Sequence, residues 1–173
     1  MTMDLMPFQR EGVADLLSWI GTEAELVQWA GSAFAWPLTE AEFRRHLQAA
    51  DQEPPTLYPC GLYERERMVG YCELSDHRRR AHSAMLSRVI VSPDLRGRRW
   101  GQYLVQHALA WGFEQLKLHR IGLGVFDFNK SAIACYEKVG FVCEGRLREN
   151  TRVGDTYWSC HIMSILSHEW QAP

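Results

Sequence analysis

No run of about 18 apolar residues occurs in this sequence, and the N-terminal MTMDLMPFQREG lacks a basic region followed by a long apolar stretch. Neither a membrane-spanning helix nor an export leader is expected, so no membrane partner is expected either. Cysteine is scarce. The five, at positions 60, 72, 135, 143 and 160, form no CxxC pair and are odd in number, which argues against a disulfide framework or a zinc site and fits a reducing, cytoplasmic setting. The seven histidines are dispersed without an HxxxH pair, so no metal is expected. A net charge of -2 lacks the basic excess of a nucleic-acid binder, although Arg78–Arg80 and Arg96–Arg99 are local basic clusters. There is no GxxxxGK[ST] loop, and Gly122 and Gly124 precede a strand end rather than the helix of a GxGxxG turn. Internal repeats and low-complexity segments are also missing.

What is present is a 173-residue chain, 46% hydrophobic, of a size and composition that suit one domain spanning residues 1–173. After a short strand near Leu5–Phe8, two capping boxes, Thr22 with Glu25 and Thr39 with Glu42, predict two helix starts. Between them Trp29–Thr39 is an aromatic loop, and the prolines of Asp51–Pro59 make that segment a connector. From Cys60 the period changes to that of strands: Cys60–Glu64, Arg67–Ser75 and Ala84–Val91, with Asp76–His82 as a solvated hairpin end. Leu104, Val105, Ala108, Leu109, Gly112, Phe113 and Leu116 follow helical spacing. A strand at Arg120–Phe126, a helix at Lys130–Val139 and strands near Val142–Arg152 and Thr156–Leu166 complete the chain, the last two joined at Gly154 and Asp155. The strand, helix, strand passage from Leu86 to Phe126 requires a locally parallel pair, and the other strands join as hairpins. The fold class is therefore α+β: a mixed, mostly antiparallel twisted sheet of about six to seven strands, flanked by helices.

The stretch Leu86–Gly101, LSRVIVSPDLRGRRWG, carries the first chemistry. A β-branched strand runs into a Pro-Asp turn and an Arg-Gly-rich loop that opens a helix. Unpaired first-turn N–H groups and the helix dipole make such a junction an anion site, and glycine lets a phosphate approach the backbone. Some thirty residues on, Phe126–Phe141 reads FDFNKSAIACYEKVGF. In it Asn129 suits a helix N-cap or a ligand contact. Gly140 and Phe141 suit a left-handed C-cap with its apolar neighbour. Tyr136 by itself reads as a core aromatic.

Together these two stretches resemble the GNAT superfamily of N-acetyltransferases over about Met68–Trp170. Within it they resemble the branch that holds ribosomal-protein N-terminal acetyltransferases and many small-molecule acetyltransferases; the closing Ile165–Trp170, ILSHEW, is similar to the end of that branch. The resemblance implies the acyl-coenzyme A N-acyltransferase fold, acetyl-coenzyme A as cosubstrate, and a primary-amine acceptor, either a protein N-terminus or a small molecule, on a monomer or homodimer. It implies that Arg96, Gly97, Arg98, Arg99, Trp100, Gly101 and Gln102 cradle the pyrophosphate, and that Asn129 and Ser131 also contact the coenzyme. Val89, Ile90 and Val91 would pair with the pantetheine arm where their strand bends from its parallel neighbour. Tyr136 would contact the coenzyme and donate a proton to the departing thiolate. Arg99 stands where the family has a glycine; either the close approach is weakened or the guanidinium offsets it by pairing with phosphate. A non-catalytic acyl-coenzyme A binding or sensing module with the same fold is the competing reading.

Acetyl transfer needs a neutral amine, a stabilised oxyanion and a proton for sulfur. A thiol near pKa 8.5 and a phenol near 10 are close enough for that last transfer to be nearly balanced. Relatives with a carboxylate base carry Glu where this chain has Gly124, which leaves Glu73 and Asp127 as the nearby acids. A site without a strong base leans towards an amine of low pKa. Trp29, Phe34 and Trp36, or the hairpin Arg152–Tyr157, are candidates to line the acceptor pocket.

Overall fold

A computed structural model describes residues 3–172. One seven-stranded sheet runs in the order β1-β2-β3-β4-β5-β7-β6. Its strands are β1 (Met3–Pro7), β2 (Tyr58–Glu64), β3 (Arg67–Arg78), β4 (Ser83–Val91), β5 (Arg120–Phe126), β6 (Val142–Val153) and β7 (Thr156–Leu166). Only β4 and β5 are parallel, and every other pairing is antiparallel. The helix between them, α4 (Trp100–Glu114), is the crossover that a parallel pair demands. The expected α+β architecture is the one found.

The N-terminal segment holds three α-helices rather than two: α1 (Val13–Ser18), α2 (Glu23–Ala30) and α3 (Glu40–His46). Both threonines cap as the sequence implies, but only one makes a reciprocal box. Thr39 accepts from Glu42 N–H while the Glu42 carboxylate accepts from Thr39. Thr22 accepts from Glu25 N–H, whereas the Glu25 carboxylate turns aside to Gly21 N–H at 2.7 Å. Strand β3 runs on to Arg78, past the expected Ser75, because its pairing with β4 continues to Arg78 opposite Ser83. Leu116 lies past the end of α4, while Leu104, Val105, Ala108, Leu109, Gly112 and Phe113 are buried as their spacing predicts. Each such large aliphatic side chain contributes about 1.5–3 kcal/mol through burial.

The sheet has two apolar faces. On one, Leu62, Val69, Cys72, Leu74, Ala84, Leu86, Ile121 and Leu123 pack with α4 and with α5 (Lys130–Val139). On the other, Tyr63, Met68 and Tyr71 pack with α1 and α3 through Val13, Leu16 and Phe43. Alternate side chains of β3 and β4 therefore serve different helices. Among the described residues, no helix is long and apolar enough to cross a membrane.

Candidate functional site

Parallel pairing of β4 with β5 covers only Ser83 with Arg120, Ala84 with Ile121 and Met85 with Gly122. Beyond Met85 the strands part, leaving the β5 side of Leu86–Val91 without a strand partner. A bulge sharpens the departure. Tyr71 faces Ile90 while Glu73 faces Ser87, so Arg88 and Val89 together oppose Cys72, and Arg88 takes the left-handed φ of 51°. Trp29 at the end of α2 holds the bulge, its Nε1–H donating to the Arg88 carbonyl at 2.8 Å.

The gap opens into a cavity of about 510 Å³. Of the sequence candidates, Val89, Ile90, Val91, Arg96, Gly97, Arg99, Gly101, Gln102, Asn129, Ser131 and Tyr136 all border it. Two do not. Arg98 is exposed outside it, and the Trp100 indole packs edge-on against Tyr103 at 5.7 Å. The turn after β4 is tied at Ser92, whose N–H donates to Val69 O and whose hydroxyl donates to Asp94. This sets the start of α4 at the cavity, where the first-turn N–H groups have no helical acceptor. Gly97 has φ 77°, and a Cβ added there would meet nothing within 4 Å, so the backbone is open to a ligand. Arg99, the N-cap residue, is also left-handed, with φ 66° and ψ 6°. That conformation is the physical reason a glycine suits this position.

On the far wall, Asn129 caps α5 by accepting from Ala132 N–H at 3.3 Å and from the Ser131 hydroxyl at 3.2 Å. Gly140 ends α5 in the left-handed region, and Phe141 N–H donates to Tyr136 O. Ala132, Ile133, Tyr136 and Val139 share the face of α5 that packs on the core. Burial pushes the Tyr136 hydroxyl well above a free phenol, with Cys135 and Cys72 adding to the effect. It stays protonated at neutral pH. Full proton transfer to a solvated thiolate is then less balanced than the unperturbed values imply, unless the thiolate is desolvated alongside it.

Neither acid singled out from sequence borders the cavity. Glu73 is fully buried and accepts from Tyr71 Oη at 2.6 Å and Arg88 at 2.5 Å, with His46 Nε2 at 3.0 Å. Asp127 is bound by Arg146 at 2.7 and 2.9 Å, which holds its carboxyl below the usual carboxylate range. Of the aromatic loop, Trp29 borders the cavity, Phe34 packs on Phe43 and His46, and Trp36 is exposed away from it. Sequence reasoning missed the α1–α2 wall of Trp19, Ile20, Glu25 and Gln28. Its only signal is the i, i+3, i+4 spacing of Glu25, Gln28 and Trp29 on a helix whose start the Thr22 cap marks.

Comparison with known proteins agrees with this geometry. The family model described as acetyltransferase (GNAT) family matches residues 23–141, beginning well before Met68 and so taking in α2. Spermidine N(1)-acetyltransferase of Vibrio cholerae serotype O1 is 33% identical over 89 residues, 51% of each chain. The Escherichia coli K12 protein of that name is 29% identical over 109 residues, 63% of this chain and 56% of its own. The chain thus spans about half the length of the curated relatives it matches. In fold it superposes on a crystal structure of spermidine N-acetyltransferase from Vibrio cholerae in complex with CoA and spermine, with a TM-score of 0.84, 22% identity and 96% of both chains covered. With the family model matched over more than half its length and the parted parallel strands in place, the chain belongs to the acetyltransferase (GNAT) family.

Proposed function

We propose that the protein is an acetyl-coenzyme A dependent N-acetyltransferase acting on a primary amine, and that residues 1–173 form one catalytic domain. The carrying observation is the parting of β4 from β5 beside a cavity that Tyr136 and the start of α4 share. In this reading the backbone of Val89, Ile90 and Val91 pairs with the pantetheine arm in place of the missing strand. The open turn at Gly97, the first-turn N–H groups up to Gln102 and the Arg96 and Arg99 side chains receive the pyrophosphate. Arg98 adds charge from outside, and Trp100 contributes its backbone only. Asn129 and Ser131 border the coenzyme while forming the α5 cap. The amine nitrogen attacks the thioester carbonyl while a backbone N–H of the bulged strand faces the oxyanion; as the C–S bond breaks the Tyr136 hydroxyl gives its proton to sulfur, and the proton that the nitrogen sheds on becoming an amide restores the Tyr136 hydroxyl. The products are an amide and free coenzyme A.

The relatives' names, with spermidine as acceptor, support an amine substrate. The narrower likeness to ribosomal-protein N-terminal acetyltransferases rests on the two motif stretches together with the closing Ile165–Trp170, whereas the relatives named above are spermidine N-acetyltransferases. A non-catalytic binding or sensing module draws support from the occupied state of Glu73 and Asp127. Tyr136→Phe separates the two readings. Coenzyme A affinity by calorimetry should be kept while acetyl transfer slows about 10²-fold. A wild-type protein that binds acetyl-coenzyme A but acetylates no member of an amine panel would sink the enzyme reading in favour of the module.

A further inference from the structure

The extra residue in β4 changes which side chains look into the cleft. Before the bulge, Ala84 and Leu86 turn to the α4 face of the sheet; after it, Val89 and Val91 do, while Ile90 packs on the α1 and α3 side. Even positions give way to odd ones, because a step of one residue in a pattern of period two exchanges the faces. Without the extra residue Val89 and Val91 would turn away from α4.

Arg88 does not hold this geometry by its own preference. A left-handed φ of 51° crowds the Cβ of any L-residue, so the bulge persists only while its surroundings fix it. Two tethers do so. The guanidinium is neutralised by the buried Glu73 carboxylate, which also accepts from Tyr71 Oη, and it lies over the Phe34 ring at 5.3 Å. That tether places the side chain and leaves the peptide that follows Arg88 free to tilt. The second acts on the peptide itself: Trp29 Nε1–H donates to the Arg88 carbonyl at 2.8 Å. The indole is braced against Phe43 and Tyr71, with ring centroids 5.7 and 6.2 Å away, so the donor cannot follow a carbonyl that swings. The Arg88 carbonyl and the Val89 N–H belong to one planar trans peptide and point in opposite directions, so fixing the oxygen aims the N–H. Val89 borders the 510 Å³ cavity.

We propose that Trp29 is a positioning residue for acetyl transfer: by holding the Arg88 carbonyl, its indole N–H sets the tilt of the Arg88–Val89 peptide and so the aim of the backbone N–H that meets the thioester oxyanion. The inference rests on the acetyltransferase reading. A residue of α2, 59 positions before Arg88, thereby governs the polar edge of β4 without touching the reacting atoms.

The test removes the donor and keeps the packing. Trp29→Phe leaves a ring against Phe43 and Tyr71, and replacing Trp29 with 3-benzothienylalanine keeps the bicyclic shape as well, which carries the test should the smaller ring loosen the fold. With saturating spermidine or alaninamide as acceptor, kcat should fall about 10- to 100-fold in both variants. KM for acetyl-coenzyme A and the calorimetric Kd of coenzyme A should stay within about twofold of wild type, since the interaction lost is made in the transition state. Isotope-edited infrared spectroscopy of bound, carbonyl-labelled acetyl-coenzyme A, without amine, gives a readout that packing alone does not move. A well-aimed N–H lowers the thioester carbonyl frequency, and both variants should raise it. A kcat within about twofold of wild type in the benzothienyl variant overturns the inference, as does a loss confined to KM. A slowed kcat with an unmoved carbonyl frequency overturns it too. These three results leave the acetyltransferase reading standing. A wild-type protein that binds acetyl-coenzyme A and acetylates neither amine overturns both.

Discussion

Arg99→Gly tests the loop where this chain departs from its family. Arg99 caps α4 in the left-handed region, with φ 66°, where an L side chain costs about 1–2 kcal/mol. Glycine removes that strain but gives up about 0.5–1 kcal/mol in backbone entropy. The net gain is about 0.5–1 kcal/mol, which for a chain of this length raises Tm by about 1–4 °C. Arg99→Ala keeps the strain and should leave Tm within about 1 °C of wild type. For coenzyme A the two substitutions share a loss, because both delete an exposed guanidinium at the cavity mouth. An exposed ionic contact contributes up to about 1 kcal/mol, so calorimetry should show affinity falling up to about fivefold in both, less at high salt. Glycine also lets the phosphate approach more closely, so Arg99→Gly should bind more tightly than Arg99→Ala. Equal Tm values for the two variants would refute the backbone-strain argument. Glycine binding coenzyme A more tightly than the wild type would refute the compensating role of the guanidinium.

Two further substitutions probe the charge networks. Glu73→Gln leaves Arg88 buried opposite a neutral partner, and breaking such a pair should cost about 3 kcal/mol, read from the urea midpoint; a change below about 1 kcal/mol would mean that the network carries little stability. Glu144 is held down to about 2 from 4.5, first by hydrogen bonds from Arg120 and then by Ser164. A lowered acid contributes stability that is present above its unfolded value and lost as pH falls through its folded one. Wild type should therefore lose a component of stability between about pH 4.5 and 2 that Glu144→Gln lacks, measured as Tm against pH, and parallel acid limbs would count against the assignment.

Much of the fold is written in short-range signals. The Thr22 and Thr39 caps, the periodicity of α4, the Asn129 cap, the Gly140 stop and the Gly154–Asp155 turn each depend on residues within a few positions of one another. The anion-binding junction after β4 and the Tyr136 helix were legible for the same reason. Helix α1 was not, because its six residues are too few to display a period. The role of Arg88 has no local signal either. Its left-handed bulge arises only from the register of β4 against β3, and its partners lie 15 residues away at Glu73 and 59 away at Trp29.

The sequence by itself determined that a strand must run into an arginine-glycine turn and a helix start, since those steps depend on local backbone preference and the orphan N–H groups of any first turn. Tertiary structure alone decided what the junction faces. The early parting of β4 from β5 makes a cleft of it, α2 closes one wall, and α5 brings Tyr136 to the other. It also decided which acids remain free to act. Glu73 and Asp127 are acids like any other in the sequence, and only packing against Arg88, His46 and Arg146 takes them out of the cleft. Such pairings join residues distant along the chain, and no local pattern encodes them.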